Sequence, residues 1–241
     1  MKVTLMEYTP NPEKTIAVAA KLCYSNTDLE YLTDNLTEEK INSFIEMLSE
    51  IGHESPIEHV SFTFGIEGVS RALLAQITRH RIASFSVQSQ RYVKNKDDFY
   101  MPKEIENNTL AKEIYNESIN KSFESYIKLV DILQESYIKK GIKDAEKKAI
   151  ENARFVLPNA CETKMIVTMN VRSLKNFFRL RCCNRAQDEI REVADEMLRL
   201  CKEVSPILFK NMGAACVNGK CPEGKMSCGN PRHWLLVRNM I

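Results

Sequence analysis

Three stretches of the chain alternate apolar and polar residues with the period of two that is typical of a half-buried β-strand. They cover residues 2–8, 59–67 and 163–169. Gly68 directly follows the second stretch and is predicted to end it, because glycine weakens a strand. The inward-facing residues of the second and third strands are predicted to be Val60, Phe62, Phe64, Ile66, Thr163, Met165, Val167 and Met169.

Most of the remaining chain repeats apolar residues every three or four positions, as on the buried face of an amphipathic helix. The longest such pattern spans residues 109–140, and its apolar stripe comprises Phe123, Tyr126, Ile127, Val130, Leu133 and Tyr137. Shorter patterns predict helices at about 12–24, 37–52, 70–79, 143–155, 171–181 and 186–203. Side chains that suit the N-cap position stand at Asn11, Thr37, Ser70 and Asn170.

Strands interspersed with helices indicate an α+β fold, with a mixed or antiparallel sheet and flanking helices. The chain has 241 residues, of which 44% are hydrophobic, so it can bury one sizeable core. No repeat, low-complexity tract or linker divides it. We therefore expect a single domain over residues 1–241, in which residues 213–241 form a loop-rich, cysteine-containing tail.

The charge balance and the absence of long apolar stretches exclude several classes of protein. Thirty-four basic and 32 acidic side chains leave a formal charge of +2, which is too balanced for a protein that coats nucleic acid. The first residues lack a signal-peptide pattern, and no stretch approaches the roughly 20 apolar residues that span a bilayer. We expect a cytoplasmic protein with no membrane or nucleic-acid partner, whose eight cysteines stay reduced.

The arginines are concentrated in two segments. None of the 13 lies in residues 1–70 or 92–153, whereas four lie in 71–91 and seven in 154–199. Lysine solubilises a surface equally well, so this distribution indicates guanidinium chemistry, since the planar fork of arginine grips a phosphate or a pyrimidine edge at two points. The alternative is that both segments are solvated helix faces.

Residues 78–92, TRHRIASFSVQSQRY, form the most polar part of the first arginine-rich segment. Burying several arginines, a histidine and two or three glutamines without partners would cost several kcal/mol. The interleaved Ile82, Phe85 and Val87 argue against simple exposure. The segment therefore predicts a phosphate or nucleotide site built from hydroxyl, amide and guanidinium groups.

Four blocks of sequence resemble one enzyme family. Arg79-His80-Arg81, followed after seven residues by Ser89, is similar to the signature of the flavin-dependent thymidylate synthases. Residues 52–59, GHESPIEH, resemble a second block of that family. Residues 153–158 and 170–181 resemble its later blocks, so the likeness runs in the right order through about residues 50–200.

The resemblance implies an FAD-dependent homotetramer whose active sites are shared between subunits. Its cofactor-binding residues would be Ser55, Arg79, His80, Arg81, Asn170, Arg172 and Asn176. Its dUMP-binding residues would be Gln76, Arg79, Ser89, Gln90, Arg91, Arg154 and Arg181. Arg91 and Arg154 suit the phosphate, and Arg181 suits the negative charge that develops on the pyrimidine when N3 loses its proton.

The resemblance also implies the reaction. NADPH would reduce the flavin, and 5,10-methylenetetrahydrofolate would supply the carbon that becomes the methyl group of dTMP. The family does not require an enzyme nucleophile, so Ser89 is expected to position dUMP; its alternative role as a nucleophile would need an activating base such as His80. His53 is a candidate acid or base, or else a polar residue that joins a helix to a strand. Val87 and Arg185 depart from residues that relatives often carry.

Three further alternatives remain open. The arginine-rich segments could belong to a non-catalytic module that binds nucleotides or RNA, and such a module would hold no flavin. One of the cysteines could act as a nucleophile, as in the unrelated folate-only thymidylate synthases. In the tail, Cys216, Cys221 and Cys228, with His233 after them, could supply four zinc ligands. Their spacing differs from the usual paired clips, so we expect no metal and a loop with buried thiols.

Overall fold

Four strands form one antiparallel sheet in this computed structural model, which describes residues 1–232. The strands lie in the order β1-β2-β4-β3. Their bounds are Lys2–Tyr8 for β1, Ser61–Ser70 for β2, Ser84–Val87 for β3 and Glu162–Asn170 for β4. Together with the helices described below, the sheet confirms the predicted α+β class.

Strand β2 confirms the alternation read from the sequence, because Phe62, Phe64 and Ile66 are completely buried. The predicted end at Gly68 is wrong, since the strand continues to Ser70. Gly68 has a φ of +67°, a left-handed conformation that glycine adopts without strain. Strand β3 was not predicted, because its four residues, SFSV, alternate only between exposed and half-buried positions.

Two compact units are distinguished by their internal contacts. Among the described residues, the first comprises Met1 with residues 67–76 and 86–165, and the second comprises residues 2–66, 77–85 and 166–232. Strands β2 and β4 contribute residues to both units. A single domain over residues 1–241 remains a prediction.

The second unit contains five α-helices among its described residues. They are α1 (Pro12–Leu22), α2 (Leu29–Asp34), α3 (Glu38–Ile51), α8 (Val171–Arg181) and α9 (Asp188–Val204). Helix α9 packs against both α8 and β1. The rings of Phe62 and Phe178 each make an edge contact with Phe209, so aromatic side chains fill the core beneath α8.

The helix starts in this unit confirm two of the predicted N-caps. The Lys40 amide donates to Thr37 Oγ1 at 3.4 Å, and the Ser173 amide donates to Asn170 Oδ1 at 2.8 Å. Asn11 occupies the cap position of α1, but its side chain makes no capping hydrogen bond. Ile51, expected on the buried stripe of α3, is instead 63% exposed, because it lies in the last turn beside Gly52.

The first unit contains the other described helices, and its core is the predicted stripe of the longest one. The helices are α4 (Arg71–Ile77), α5 (Lys103–Glu106), α6 (Thr109–Lys139) and α7 (Ala145–Ala153). Tyr126 and Val130 of α6 pack against Ala149 and Ile150 of α7. The Ser70 cap is confirmed by a 3.0 Å hydrogen bond from the Leu73 amide to Ser70 Oγ, although α4 is shorter than predicted.

The described part of the tail is mostly loop, as predicted, with one short 3-10 helix at Gly224–Met226. All eight cysteines lie within residues 1–232 and are free thiols. No helix among the described residues is long and apolar enough to cross a bilayer.

Candidate functional site

The second unit carries a cavity of about 940 Å³ beside α8, here called the α8 cavity. Six of its lining side chains are cationic and two are carboxylates, so the cavity attracts anions. Its volume lies at the upper end of the range of about 300–1,000 Å³ that holds small molecules and cofactors. Its lining residues are Glu54, Glu58, Arg79, His80, Arg81, Ile82, Asn170, Arg172, Ser173, Lys175, Asn176, Arg179, Leu180 and Arg181.

Helix α8 supplies half of the residues that line this cavity, and the two faces of the helix differ sharply. Phe177 and Phe178 are fully buried and anchor one face in the core. Arg172, Asn176 and Arg179 are exposed and are spaced by four and three residues, which places them on one face of a helix. The buried aromatic pair therefore fixes the rotation of α8, and this rotation presents the polar face to the cavity.

Two carboxylates from the segment before β2 hold the start of this polar face. Lys175 Nζ lies 2.7 Å from Glu54 Oε1, and Arg172 Nε lies 3.4 Å from Glu54 Oε2. Arg172 also forms an ion pair with Glu58. The hydrogen bond from Lys175 lowers the pKa of Glu54, and the contact with Glu58 raises the pKa of Arg172. Glu54 and Arg172 therefore stay charged at neutral pH.

His80 holds the last residue of α8. Arg181 Nε donates to His80 Nε2 at 3.1 Å, and the His80 ring packs edge-on against Phe177 with centroids 5.0 Å apart. Burial, followed by the nearby charge of Arg181, lowers the pKa of His80 to about 4. His80 is therefore neutral at pH 7 and accepts through Nε2, so it acts as an orienting acceptor for Arg181.

Six of the seven predicted cofactor residues line this one cavity, namely Arg79, His80, Arg81, Asn170, Arg172 and Asn176. Ser55 does not line it. The Ser55 hydroxyl lies 3.1 Å from Nε2 of His53, the predicted acid or base. His53 Nδ1 is buried and has no hydrogen-bond partner among residues 1–232. The predicted roles of Ser55 and His53 remain predictions.

Four of the seven predicted substrate residues line one or the other of two cavities. Arg79 and Arg181 line the α8 cavity, whereas Ser89 and Gln90 line a cavity of about 310 Å³ in the first unit. We call the second one the Arg71 cavity, because Arg71 lines it as well.

Three hydrogen bonds shape the loop at the Arg71 cavity. Arg71 Nη2 donates to the Gln88 carbonyl at 2.7 Å. The Arg91 amide donates to Ser89 Oγ at 3.2 Å, and Gln90 Nε2 donates to Asn95 Oδ1 at 3.2 Å. A further 3.1 Å hydrogen bond, from the Val93 amide to the Ser89 carbonyl, closes a turn at residues 90–92.

The remaining predicted substrate residues also lie in the first unit. Arg91 Nη2 lies 3.1 Å from Glu151 Oε2, near the end of α7. Arg154 follows α7 in a 3-10 helix, and its guanidinium lies 5.8 Å from the centroid of the Phe155 ring. Because Glu151 precedes Arg154 by three residues, both lie on the same side of this helical segment. Gln76 occupies the last turn of α4.

Several residues that line the two cavities were not predicted from the sequence. Lys175 and Arg179 could have been found, because they share the helical face of Arg172. Glu54 and Glu58 carried no such signal, since their partners on α8 lie more than 100 residues away in the chain. Arg71 was counted among the arginines, but sequence spacing gave no indication that it contacts the Gln88 carbonyl.

The surroundings of the cysteines favour structural roles for them over a role as nucleophile. Burial raises the pKa of Cys161 to about 11 and also raises the pKa values of Cys182 and Cys201, so these three are protonated at neutral pH. In the tail, Cys216 is buried and Cys228 is exposed. Across residues 1–232 no three potential metal ligands converge, and the fourth suggested zinc ligand, His233, lies outside the described residues.

Comparison with known proteins identifies the family. The family model described as "Thymidylate synthase complementing protein" matches residues 4–207 of this chain. A flavin-dependent thymidylate synthase of Clostridium tetani is 58% identical over 232 residues, which cover 95% of this chain and 93% of that protein. The chain belongs to the flavin-dependent thymidylate synthase family.

More distant members of this family also match over nearly the full chain. The flavin-dependent thymidylate synthase of Geobacter sulfurreducens is 45% identical, with 95% of this chain and 94% of that protein covered. That of Pyrococcus abyssi is 39% identical, with 94% and 91% covered. The predicted family resemblance is confirmed.

The two noted departures from the family pattern have different surroundings. Arg185 forms an ion pair with Glu223 of the tail, with 3.0 Å between Nη1 and Oε2. Arg185 is therefore engaged by the tail and is not among the residues that line the α8 cavity. Val87 is the last residue of β3 and is half-buried.

Proposed function

We propose that this chain is an FAD-dependent thymidylate synthase that makes dTMP from dUMP. NADPH is the reductant, 5,10-methylenetetrahydrofolate is the one-carbon donor, and the enzyme is a homotetramer whose subunits share active sites. The observation that carries the proposal is the α8 cavity, in which a chain of this family presents a cationic wall and an Arg181–His80 pair.

The α8 cavity fits FAD chemically. The cofactor carries a pyrophosphate, and guanidinium groups grip such oxygens with two parallel donors. Arg79, Arg81 and Arg172 supply three guanidinium groups to the cavity wall, and Asn170 and Asn176 add amide groups. When bound, FAD supplies the hydride chemistry that protein side chains lack.

Arg181 activates dUMP in this proposal. A guanidinium beside the pyrimidine stabilises the negative charge that develops when N3 loses its proton, and partial burial of Arg181 strengthens this interaction. His80 fixes the Nε side of the guanidinium and so orients it. Because the arginine provides the activation electrostatically, no enzyme nucleophile is needed.

The phosphate of dUMP is assigned to Arg91 and Arg154, with Ser89 and Gln90 on the same loop as Arg91. Glu151 ties Arg91 to the helix that precedes Arg154, which favours a joint role of the two guanidinium groups. Ser89 holds the turn by accepting from the Arg91 amide, an arrangement that suits a positioning residue.

The test is a visible absorption spectrum of the purified protein, followed by anaerobic NADPH and then by dUMP with methylenetetrahydrofolate. We expect bound oxidised flavin that bleaches with NADPH and regains its colour as dTMP forms. A colourless protein that cannot take up FAD but binds RNA with strong salt dependence would support the non-catalytic module instead. Formation of dTMP without NADPH would support a cysteine nucleophile.

A further inference from the structure

The end of α8 is held by the tail of the chain. Arg181 is the last residue of this helix, and Cys182 is its C-cap. The last carbonyl groups of a helix have no partner within the helix, so its end frays unless other groups bind them. The partner of the Cys182 carbonyl is Arg232, whose Nη1 donates to it at 2.7 Å.

The same guanidinium is anchored on α9. Arg232 Nη1 lies 2.9 Å from Asp195 Oδ1 and 2.8 Å from Asp195 Oδ2. Arg232 is about three-quarters buried, which shields this ion pair from solvent better than the pairs that Arg199 forms on the same helix. A cation at the carboxyl end of α8 also interacts favourably with the helix dipole.

Two further contacts join the tail to the same connection between α8 and α9. Asn184 Nδ2 donates to the Asn230 carbonyl at 2.8 Å, and Arg185 Nη1 lies 3.0 Å from Glu223 Oε2. The tail therefore contacts three of the four residues that follow Arg181. The family model ends at residue 207, so these contacts come from a part of the chain outside it.

We propose that Arg232 is a positioning residue for Arg181. By joining the C-cap carbonyl to Asp195, it fixes the backbone at the end of α8, while His80 fixes the Arg181 side chain. This inference rests on the proposed role of Arg181 in activating dUMP. A displacement of about 1 Å in a catalytic group costs up to a hundredfold in rate, so a backbone anchor next to that group affects turnover.

The experiment replaces Arg232 by lysine, which keeps the charge but is shorter and lacks Nη1, the nitrogen that contacts both the Cys182 carbonyl and the Asp195 carboxylate. Activity is normalised to bound flavin, so a loss of folded enzyme does not register. We expect kcat and kcat/KM to fall together by about tenfold with KM unchanged, the pattern of an interaction made in the transition state. The matched control is Arg199→Lys, which alters exposed ion pairs with Glu196 and Glu203 on the same helix.

Two readouts separate positioning from general support of the fold. An ultraviolet titration of bound dUMP should show the N3 pKa rising by up to about one unit in Arg232→Lys, equivalent to the tenfold loss. In the Arg181→Lys background, Arg232→Lys should have no further effect on kcat, because the two residues act through one interaction. If Arg232→Lys folds poorly, Asp195→Asn tests the same anchor from its other end.

The outcomes distinguish this inference from the function on which it rests. Unchanged kcat per flavin and unchanged N3 ionisation in both Arg232→Lys and Asp195→Asn, with a strong loss in Arg181→Lys, would overturn the positioning role alone. Additive effects of Arg181→Lys and Arg232→Lys would also overturn it. Full activity in Arg181→Lys would instead overturn the proposed role of Arg181.

Discussion

The α8 cavity and the loop from Ser89 to Arg91 hold their polar groups in different ways. In the cavity, Arg172 and Lys175 share the carboxylate of Glu54, and their helix is rotated into place by buried aromatic rings. On the loop, Arg91 contacts one carboxylate within residues 1–232, and its side chain is 46% exposed, compared with 53% for Arg172, so the two regions differ in the number of charged partners and not in exposure. An exposed pair of this kind contributes about 0–1 kcal/mol.

This difference indicates where a single substitution matters most. A network of charges on a rigid helix is pre-organised, so removing one member leaves its partners unpaired and misplaces the rest. A loop held by a turn and one exposed ion pair adapts more easily. We therefore expect the largest functional losses in the α8 cavity and the smallest at Ser89.

The largest expected effect follows Arg181→Ala. Removing the guanidinium removes the charge that stabilises the N3 anion, and kcat should fall by about 10²–10³-fold, as for loss of one electrostatic donor at an active site. Bound flavin should be retained, because the other cavity arginines remain. Steady-state kinetics and the flavin content per subunit measure both quantities.

Arg181→Lys serves as the control for that variant, since it keeps the positive charge but loses the Nε donor to His80. Its kcat should fall between those of the wild type and Arg181→Ala. Wild-type turnover in the alanine variant would show that Arg181 has no part in the mechanism. The loop from Ser89 to Arg91 would then contribute more to catalysis than the α8 cavity does.

The next largest effect is expected on the affinity for FAD. It is tested by comparing substitutions of two arginines that line the α8 cavity. Arg172→Ala leaves Glu54 without one of its two cationic contacts and Glu58 without its ion pair, so both carboxylates repel the pyrophosphate. FAD should bind about tenfold more weakly or worse, as measured by fluorescence titration of the flavin-free protein.

Arg81→Ala is the matched comparison. Arg81 lines the same cavity but has no ion-pair partner among residues 1–232, so its loss removes attraction without exposing a carboxylate. Its FAD affinity should fall by only a few-fold. Equal losses in the two variants would show that the carboxylates contribute nothing to the arrangement.

The same contrast explains how much of the site could be predicted from the sequence. Strands β1, β2 and β4, the long helix and the Asn170 cap follow from local periodicity and capping chemistry, and the structure confirms them. The face formed by Arg172, Asn176 and Arg179 also follows from helical spacing. Local signals therefore predict the cavity wall that α8 supplies.

Long-range pairing could not be predicted in this way. Nothing near Glu58 in the chain points to Arg172, because their contact depends on how the segment before β2 packs against α8. Arg232 is similar, since its partner Asp195 lies 37 residues away and belongs to another element. The predicted end of β2 at Gly68 was wrong for a related reason. Glycine weakens an isolated strand, but pairing with neighbouring strands accommodates it within β2.

A smaller effect should appear as a dependence of stability on pH. His80 has a pKa of about 4 in the folded protein, below its ordinary value of 6.5. As the pH falls through 6.5, the unfolded chain binds a proton that the folded protein excludes until about pH 4, so stability is lost over that window.

His80→Asn should remove this part of the acid sensitivity. Between pH 7 and pH 4.5, the wild type should lose about 1–2 kcal/mol more of its unfolding free energy than the variant does, after allowance for screening at a half-buried group. Urea unfolding of the two flavin-free proteins measures the difference. Parallel pH curves would show that His80 is not held neutral by its surroundings.

The smallest expected effect lies on the loop, at Ser89. The hydroxyl accepts one hydrogen bond from the Arg91 amide at 3.2 Å, and its loss relaxes the turn without removing a charge. Ser89→Ala should therefore raise KM for dUMP by about threefold and leave kcat near the wild-type value, as expected for a single neutral hydrogen bond. Ser89→Cys, which keeps a weaker donor and acceptor and adds nucleophilicity, is the control. If serine were an obligatory nucleophile, the alanine variant would make no dTMP, and the loop would then carry the chemistry that we assign to Arg181.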